Sequence, residues 1–295
     1  MTLWPAPLRR GDRVQLAAAS SALQADALQR LEGGIAVLES WGLQVDPHPE
    51  PLRRWGHLAG TDHERLDDLQ SEAPLVACLR GGWGAARLLE HPGLLRPSGA
   101  GQWLLGYSDV TSLLWARQAA GITGGIHGPM LTSLAAEPSW SQERLRQLLF
   151  GESLPALAGT PWVSGVADGP LLVGNLTVAT HLLGTAHLPE LRGAVLVLED
   201  IGEAPYRLDR MLTHWRLSGA LQQLAGIGFG SFSDCSDTDD ATDTWRAVLQ
   251  ERTSDLGIPV LADLPVGHEP GNAALALGQR VQLDATRGEL VVLQA

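Results

Sequence analysis

The sequence contains no lysine, because all 21 of its basic side chains are arginine. This absence excludes a Schiff-base lysine, pyridoxal-phosphate chemistry and the lysine of a phosphate-binding P-loop. Cysteine is scarce as well. The two that exist, Cys78 and Cys235, are far apart in sequence and predict neither a disulfide framework nor a zinc-ligand set.

Long apolar runs are also missing, since no stretch approaches the roughly 18 residues that a membrane-spanning helix requires. Arg9 and Arg10 have no apolar stretch behind them, so we expect no secretory signal. Acidic side chains outnumber basic ones by 33 to 21, and the net charge of -12 repels phosphate backbones and anionic lipid. These features predict a cytoplasmic enzyme with neither nucleic acid nor membrane among its partners.

What the chain does contain is an alternation of short apolar runs with amphipathic stretches. Val14–Ala18, Pro74–Leu79 and Trp103–Gly106 are predicted strands, and Ala22–Trp41 is a predicted helix. Strand–helix–strand units of this kind imply right-handed crossovers and a mostly parallel sheet. We therefore predict a flavodoxin-like, doubly wound α/β domain over residues 1–155.

The second half of the 295-residue chain has a different pattern. Residues 156–168 are rich in proline, glycine and small side chains, which predicts a linker. A strand at Ala194–Leu198 and a closing β-hairpin within residues 281–293 then predict a mixed sheet. Residues 169–295 are thus expected to form a smaller, β-rich α/β domain.

Two loops that follow predicted strands carry candidate chemistry, because ligand sites in α/β sheets gather there. Arg80–Gly84 holds three glycines before a helix, which either present backbone N–H groups to an anion or only form a tight turn. Gly106–Asp109 has Ser108 at its apex, as in a nucleophile elbow. Against that interpretation, Val110 replaces the second glycine of the elbow pattern, and Ser or Asp before a helix also serves as an N-cap.

A third set could activate such a serine. Glu199 and Asp200 follow one predicted strand, and His268 follows another. A neutral histidine is the usual base for a serine near pH 7, and a carboxylate fixes the tautomer of that histidine. Glu203 competes with Glu199 and Asp200 for the role of the acid, and the sequence leaves this choice open.

We predict no metal and no cofactor. His181 and His187 have no carboxylate at ligand spacing. The acidic cluster of Asp234, Asp237, Asp239, Asp240 and Asp243 lacks the central glycine and terminal glutamate of an EF-hand, so a solvated loop is the better account.

In combination and in order, the motifs resemble those of the LD-carboxypeptidase family, serine peptidases that also include the microcin-immunity proteins. The matching segments are Gly11–Val14, Ala59–Asp62, Arg80–Gly84, Gly106–Leu113, His127–Met130, Gly174–Leu176, Leu198–Asp200, Tyr206–Leu212 and Pro265–His268. The resemblance covers nearly the whole chain. It implies an N-terminal flavodoxin-like domain with the nucleophile and a C-terminal domain with the acid and base.

The resemblance also implies roles for individual residues. Ser108 would be the nucleophile, His268 the base and Glu199 its orienting acid. The N–H groups of Asp109 and Gly82 would form the oxyanion hole. The implied activity is metal-independent cleavage of the L,D-peptide bond to the terminal D-Ala of a murein tetrapeptide, by a cytoplasmic homodimer engaged in cell-wall recycling.

Three positions near the predicted active-site residues bear on how the substrate would be bound. Arg80 is our hypothesis for binding the substrate carboxylate, since a guanidinium makes paired hydrogen bonds to it; the alternative is an arginine that holds its own turn. Trp83, where the family more often has tyrosine, is expected to contact substrate. Glu269 stands where a small residue is frequent and adds negative charge beside the base.

Two other functions stay open at this point. One is a microcin-immunity-type hydrolase of peptidyl or aminoacyl nucleotides, although the segment Tyr206–Leu212 favours the murein type. The other, from a different class, is a non-catalytic protein that binds a small ligand.

Overall fold

The computed structural model describes residues 4–91, 93–95, 101–236 and 244–293. The strands, in chain order, are β1 (Arg13–Ala17), β2 (Gln44–Asp46), β3 (Leu75–Cys78), β4 (Trp103–Gly106), β5 (Gly125–His127), β6 (Leu157–Ala158), β7 (Thr160–Val163), β8 (Val166–Asn175), β9 (Val195–Ile201), β10 (Gly226–Ser233), β11 (Val260–Ala262), β12 (Leu275–Ala276), β13 (Arg280–Asp284) and β14 (Glu289–Val292). The α-helices are α1 (Leu28–Ser40), α2 (Asp62–Leu69), α3 (Thr111–Ala119), α4 (Leu131–Leu134), α5 (Ser139–Leu149), α6 (Leu176–Leu182), α7 (Pro205–Leu217) and α8 (Thr244–Thr253).

These elements belong to two compact units. The first comprises Met1–Ser153 and Ala273–Leu277, and the second comprises Leu154–Asn272 and Gly278–Ala295. Throughout the described ranges, each helix is too short or too polar to cross a lipid bilayer.

The first unit contains a sheet with the strand order β2-β1-β3-β4-β5-β12. Strands β1 to β5 are all parallel, and β12 is antiparallel to β5. The order 2-1-3-4-5 is that of flavodoxin-like sheets, so the predicted fold of this domain is confirmed. Every residue of β3 and β4 is buried. Because successive strand residues face opposite sides, both faces of the sheet are covered at these strands.

The second unit contains a mixed sheet with the order β6-β14-β13-β8-β9-β10-β11-β7. Strands β8 to β11 are parallel, whereas the outer strands pair in antiparallel fashion. The predicted C-terminal hairpin is the β13–β14 pair. The prediction of a mixed, β-rich α/β domain is therefore confirmed.

Two parts of the chain differ from the prediction: one predicted to be a linker forms strands, and one strand of the predicted C-terminal domain belongs to the first unit. Residues 156–168, the predicted linker, contain β6, β7 and the first residues of β8. Pro161 lies on β7, which is an edge strand, and proline is tolerated there because it lacks only an N–H that need not pair. Strand β12 lies within residues 169–295 in sequence but joins the sheet of the first unit.

Candidate active site

Ser108 occupies a left-handed backbone conformation immediately after β4. Its φ is +59°, and it begins the 3₁₀ turn Ser108–Val110. Non-glycine residues seldom adopt this conformation, which costs on the order of 1–3 kcal/mol and is concentrated at functional sites. The strained serine between a parallel strand and a helix has the form of a nucleophile elbow.

Val110, two positions after Ser108, stands where the usual elbow pattern has glycine, and it packs against Gly106. A Cβ on Gly106 would lie 2.6 Å from Cγ1 and 2.8 Å from Cβ of Val110. The buried valine therefore fills the inside of the turn, and the glycine before Ser108 provides the room for it.

The glycine-rich loop after β3 runs directly beside Ser108. A Cβ on Gly81 would lie 3.0 Å from the Cβ and 3.2 Å from the Oγ of Ser108. The next residue, Gly82, has a φ of +108°, which favours glycine. Ser21 then holds the loop by accepting the N–H of Trp83 at 2.9 Å. The backbone of this loop therefore lies against the side chain of Ser108.

The side chain of Asp109 has a structural role that the sequence did not reveal. Its carboxylate is 1% exposed and accepts the N–H of Ala85 at 2.8 Å, so it caps the 3₁₀ helix that follows the glycine loop. Burial raises the pKa of Asp109, although hydrogen bonds, including those from the backbone of Ala85 and Gly84, oppose the shift. An acid before a helix suggests a cap for that helix; here the capped helix begins 24 residues earlier.

A buried cation supports the same loop from another direction. Arg65 is fully buried, and its Nη1 donates to the carbonyl of Gly84 at 2.8 Å and also to the carbonyl of Ala19. The second terminal nitrogen of the guanidinium, Nη2, forms an ion pair with Oδ1 of Asp62. Together with Asp109, this guanidinium ties the end of the loop to the rest of the first unit.

The guanidinium of Arg80 contacts the backbone of its own region. Its Nε donates to the carbonyl of Gly81 at 3.2 Å, and its Nη1 donates to that of Ala22 at 3.3 Å. Within the described ranges Arg80 makes no ion pair with a carboxylate. This arrangement agrees with the alternative of a turn-holding arginine. Trp83, the other position predicted to contact substrate, is 45% exposed.

In the second unit, the structure brings Glu199 and His268 together. Oε2 of Glu199 lies 2.7 Å from Nδ1 of His268. Glu199 is completely buried and lies within β9, which continues beyond the predicted strand end at Leu198 to Ile201. Because a carboxylate only accepts, Nδ1 carries the proton and Nε2 is the basic nitrogen.

The two competing carboxylates have other partners. Asp200 accepts hydrogen bonds from the side chains of Asn175 at 2.9 Å and Thr177 at 2.8 Å. Burial, together with the charge of Glu199, raises the pKa of Asp200 to about 6. Glu203 pairs with Arg207 at 3.4 Å. Of the three acids, Glu199 is the one in contact with His268.

The backbone around His268 is shaped to bring the ring onto Glu199. Gly267 has a φ of +130°, and a Cβ there would lie 3.0 Å from Oε2 of Glu199. Ser231 accepts the N–H of His268 at 3.1 Å, and Asn272 accepts the N–H of Gly267 at 3.0 Å. Only a glycine before the histidine leaves space for the carboxylate.

Side chains that could bind a metal ion are not clustered among the residues that the structure describes. Among those residues, no group of three or more His, Cys, Asp and Glu side chains could hold a metal ion. Asp234 of the acidic cluster is described, whereas Asp237, Asp239, Asp240 and Asp243 lie outside the described residues.

Known proteins resemble this chain in sequence and in structure. Family models of the LD-carboxypeptidase N-terminal and C-terminal domains match residues 14–128 and 168–283. A relative from Synechocystis sp. is 44% identical, with 99% of this chain and 97% of the relative covered. The murein tetrapeptide carboxypeptidase of Pseudomonas aeruginosa is 35% identical, with 93% and 94% covered. The microcin C7 self immunity protein MccF, in its wild-type apo structure, has a TM-score of 0.88 at 20% identity over 99% of both chains, a likeness of fold alone.

Proposed function

The chain belongs to the LD-carboxypeptidase family, and we propose that it is a serine peptidase that removes the terminal D-Ala from murein tetrapeptides in cell-wall recycling. The observation that carries the proposal is the buried Glu199–His268 pair, 2.7 Å apart, which is the acid–base half of a serine-hydrolase triad. The left-handed backbone conformation of Ser108 supports its assignment as the nucleophile, the third member of the proposed triad. We further propose that residues 1–155 supply the nucleophile and residues 169–295 supply the acid and base.

The proposed reaction needs no metal. Nε2 of His268 takes the hydroxyl proton of Ser108 as Oγ attacks the carbonyl carbon of the L-centre, and the N–H groups of Asp109 and Gly82 hold the developing oxyanion. His268 then gives that proton to the amine of the departing D-Ala, which leaves an acyl-enzyme. A water molecule attacks the acyl carbon by the same route and restores Ser108. Glu199 stabilises the imidazolium in both halves.

The proposal also covers the surroundings of the reaction. We propose that the exposed indole of Trp83 packs against the substrate. For Arg80 we keep the terminal carboxylate as the proposed ligand, in competition with the carbonyls of Gly81 and Ala22 that its guanidinium contacts in the structure. A cytoplasmic location and a homodimeric state are proposed from the family resemblance.

The test is an assay of the purified protein with a murein tetrapeptide. We expect release of free D-Ala and the tripeptide, unchanged after treatment with EDTA, and labelling of Ser108 by a fluorophosphonate. Release from an aminoacyl nucleotide instead of the tetrapeptide would favour the microcin-immunity alternative. No turnover of either substrate and no labelling would favour a non-catalytic binding protein.

The pH dependence of the reaction follows from the surroundings of His268. Burial alone would lower the pKa of His268, but the hydrogen bond and charge of Glu199, with the charge of Asp200, outweigh it and raise the pKa above its ordinary 6.5. A protonated imidazole cannot act as base, so kcat/KM should fall as the pH drops through that raised pKa. We expect a midpoint above 6.5 in the free enzyme.

The matched variant for this profile is Glu199→Gln, which removes the largest influence that raises the pKa of His268. Its residual activity should show the acid limb at lower pH than in the wild type, because burial then opposes the charged form with less compensation. A wild-type midpoint at or below 6.5, or the same midpoint in both proteins, would contradict the assignment of His268 as the base.

A further inference from the structure

A second buried carboxylate lies next to the acid of the proposed pair. Asp200 follows Glu199 on β9 and is 2% exposed, although the reaction assigns it no role. Because adjacent strand residues point to opposite faces, the two carboxylates lie on the two sides of one strand. Two buried like charges this close together repel each other, which disfavours the ionised form. A neutral side chain would avoid this cost, so packing alone does not explain the second carboxylate.

Four hydrogen bonds favour the ionised form of Asp200. Its Oδ1 accepts the side-chain N–H of Asn175 at 2.9 Å and the backbone N–H of Ile201 at 2.8 Å. Its Oδ2 accepts both the backbone N–H of Thr177, at 2.9 Å, and the hydroxyl of that residue, at 2.8 Å. All four donors are uncharged, so they stabilise the negative charge without neutralising it. They also fix the carboxylate to the end of β8 and the start of α6.

The charge of Asp200 acts on the base. Burial of His268 lowers its pKa, whereas the hydrogen bond and charge of Glu199, and then the charge of Asp200, raise the pKa more than burial lowers it. Burial, with the charge of Glu199, raises the pKa of Asp200 itself to about 6, so this carboxylate is ionised at neutral pH. The base therefore has two negative charges near it, one in direct contact and one on the other face of β9.

The other groups around Asp200 add no charge to this balance. Among the described residues, the titratable groups that interact with Asp200 are Glu199, His268 and the buried thiol of Cys235. Burial is the largest cause that raises the pKa of Cys235 to about 11, so the thiol keeps its proton from about pH 5 to about pH 9. The residue paired with Asp200 on β10 is Phe232, and the donors from β8 and α6 are uncharged.

We propose that Asp200 is a positioning residue that strengthens His268 as the base, by holding a second negative charge beside the Glu199–His268 pair. The inference rests on the proposed peptidase function. Attack on the substrate converts the imidazole into an imidazolium, and the charge of Asp200 stabilises that cation across β9. Asp200 neither gives nor takes a proton in the reaction and acts only through the base.

Asp200→Asn removes this charge and nearly keeps the shape of the side chain. The pKa of His268 should fall by about half a unit to one unit, since a nearby negative charge that favours the imidazolium is lost. The same interaction stabilises the imidazolium during attack, so kcat at high pH should fall by about 3- to 10-fold. KM should change by less than about twofold. The pKa is measured by NMR titration of the His268 imidazole without substrate, and kcat by release of D-Ala.

The matched control is Asp209→Asn in the same unit. Asp209 lies on α7 and pairs with Arg252 at 2.6 Å, with its side chain 42% exposed. We expect this variant to keep the pKa of His268 and the wild-type kcat. A shift as large as that of Asp200→Asn would show that any lost carboxylate moves the base, and would overturn the special role of Asp200.

A purely structural role has a different signature. If Asp200→Asn only loosened the contact between Glu199 and His268, its effect on the pKa of His268 would vanish in a Glu199→Gln background. A charge that acts by itself lowers the pKa by about the same amount in both backgrounds. An effect that vanishes, or an unchanged pKa in the single variant, would overturn the proposal.

A milder variant decides the question if Asp200→Asn does not fold. Thr177→Val removes one of the four donors, so Asp200 should gain its proton at higher pH. The pKa of His268 should then fall by less than in Asp200→Asn, and an unchanged pKa would count against the proposal. If the wild type releases no D-Ala, the peptidase function fails, whereas the NMR titrations still decide whether Asp200 acts on His268.

Discussion

Ser108→Ala should lower kcat for release of D-Ala by about 10⁴- to 10⁶-fold while leaving the fold intact. The loss is this large because, in the proposed mechanism, the serine, the histidine and the acid act as a unit, and removing the nucleophile leaves only binding and the oxyanion hole. The measurement is single-turnover release of D-Ala, with Tm recorded on the same sample. Alanine keeps the Cβ that packs near Gly81, so we expect no loss of structure.

Two further variants separate chemistry from stability. Ser133→Ala removes a hydroxyl that donates to the carbonyl of Met130 and should keep full activity. Ser108→Gly should be as inactive as Ser108→Ala but more stable, because glycine adopts a φ of +59° without strain. A gain of about 1 kcal/mol corresponds to about 2–4 °C in Tm for a domain of this size. Retention of most activity by Ser108→Ala would remove the serine from the mechanism.

Glu199→Gln should lower kcat by about 10²- to 10⁴-fold, by analogy with the acid of other triads. The carboxylate accepts from Nδ1 of His268, which sets the tautomer. In the proposed mechanism its charge also stabilises the imidazolium formed during attack. A glutamine has nearly the same shape, but it is neutral and can present its amide N–H₂ to the ring, which selects the wrong tautomer. Activity and the Tm of the variant are measured together.

Glu203→Gln is the matched control for this substitution. Glu203 lies four residues away and pairs with Arg207, a contact that is partly exposed and contributes little to stability. We expect less than about a twofold change in kcat from its removal. If Glu203→Gln causes the large loss and Glu199→Gln does not, then the acid has been assigned to the wrong carboxylate.

Much of the fold could be predicted because its signals are local. Continuous apolar runs such as Pro74–Leu79 indicate buried parallel strands, and the helical pattern between them indicates crossovers. Strands β12 and β7 escaped prediction for the opposite reason. The two residues of β12 carry no periodicity, and β7 contains Pro161 within a stretch rich in turn residues. Their pairing depends on partners that are distant in sequence, such as β5 for β12.

The amino-acid sequence alone limits the possible chemistry. It has no lysine for covalent catalysis, but it has a serine in the Gly106–Asp109 turn and a histidine and several acids after predicted strands. Which of Glu199, Asp200 and Glu203 contacts His268 is visible in the three-dimensional structure alone. Adjacent residues of a strand point to opposite faces, so within β9 the carboxylate of Glu199 contacts His268 while that of Asp200 contacts Asn175. Spacing along the chain cannot make that choice, because the two sides of β9 differ only in what the rest of the chain packs against each.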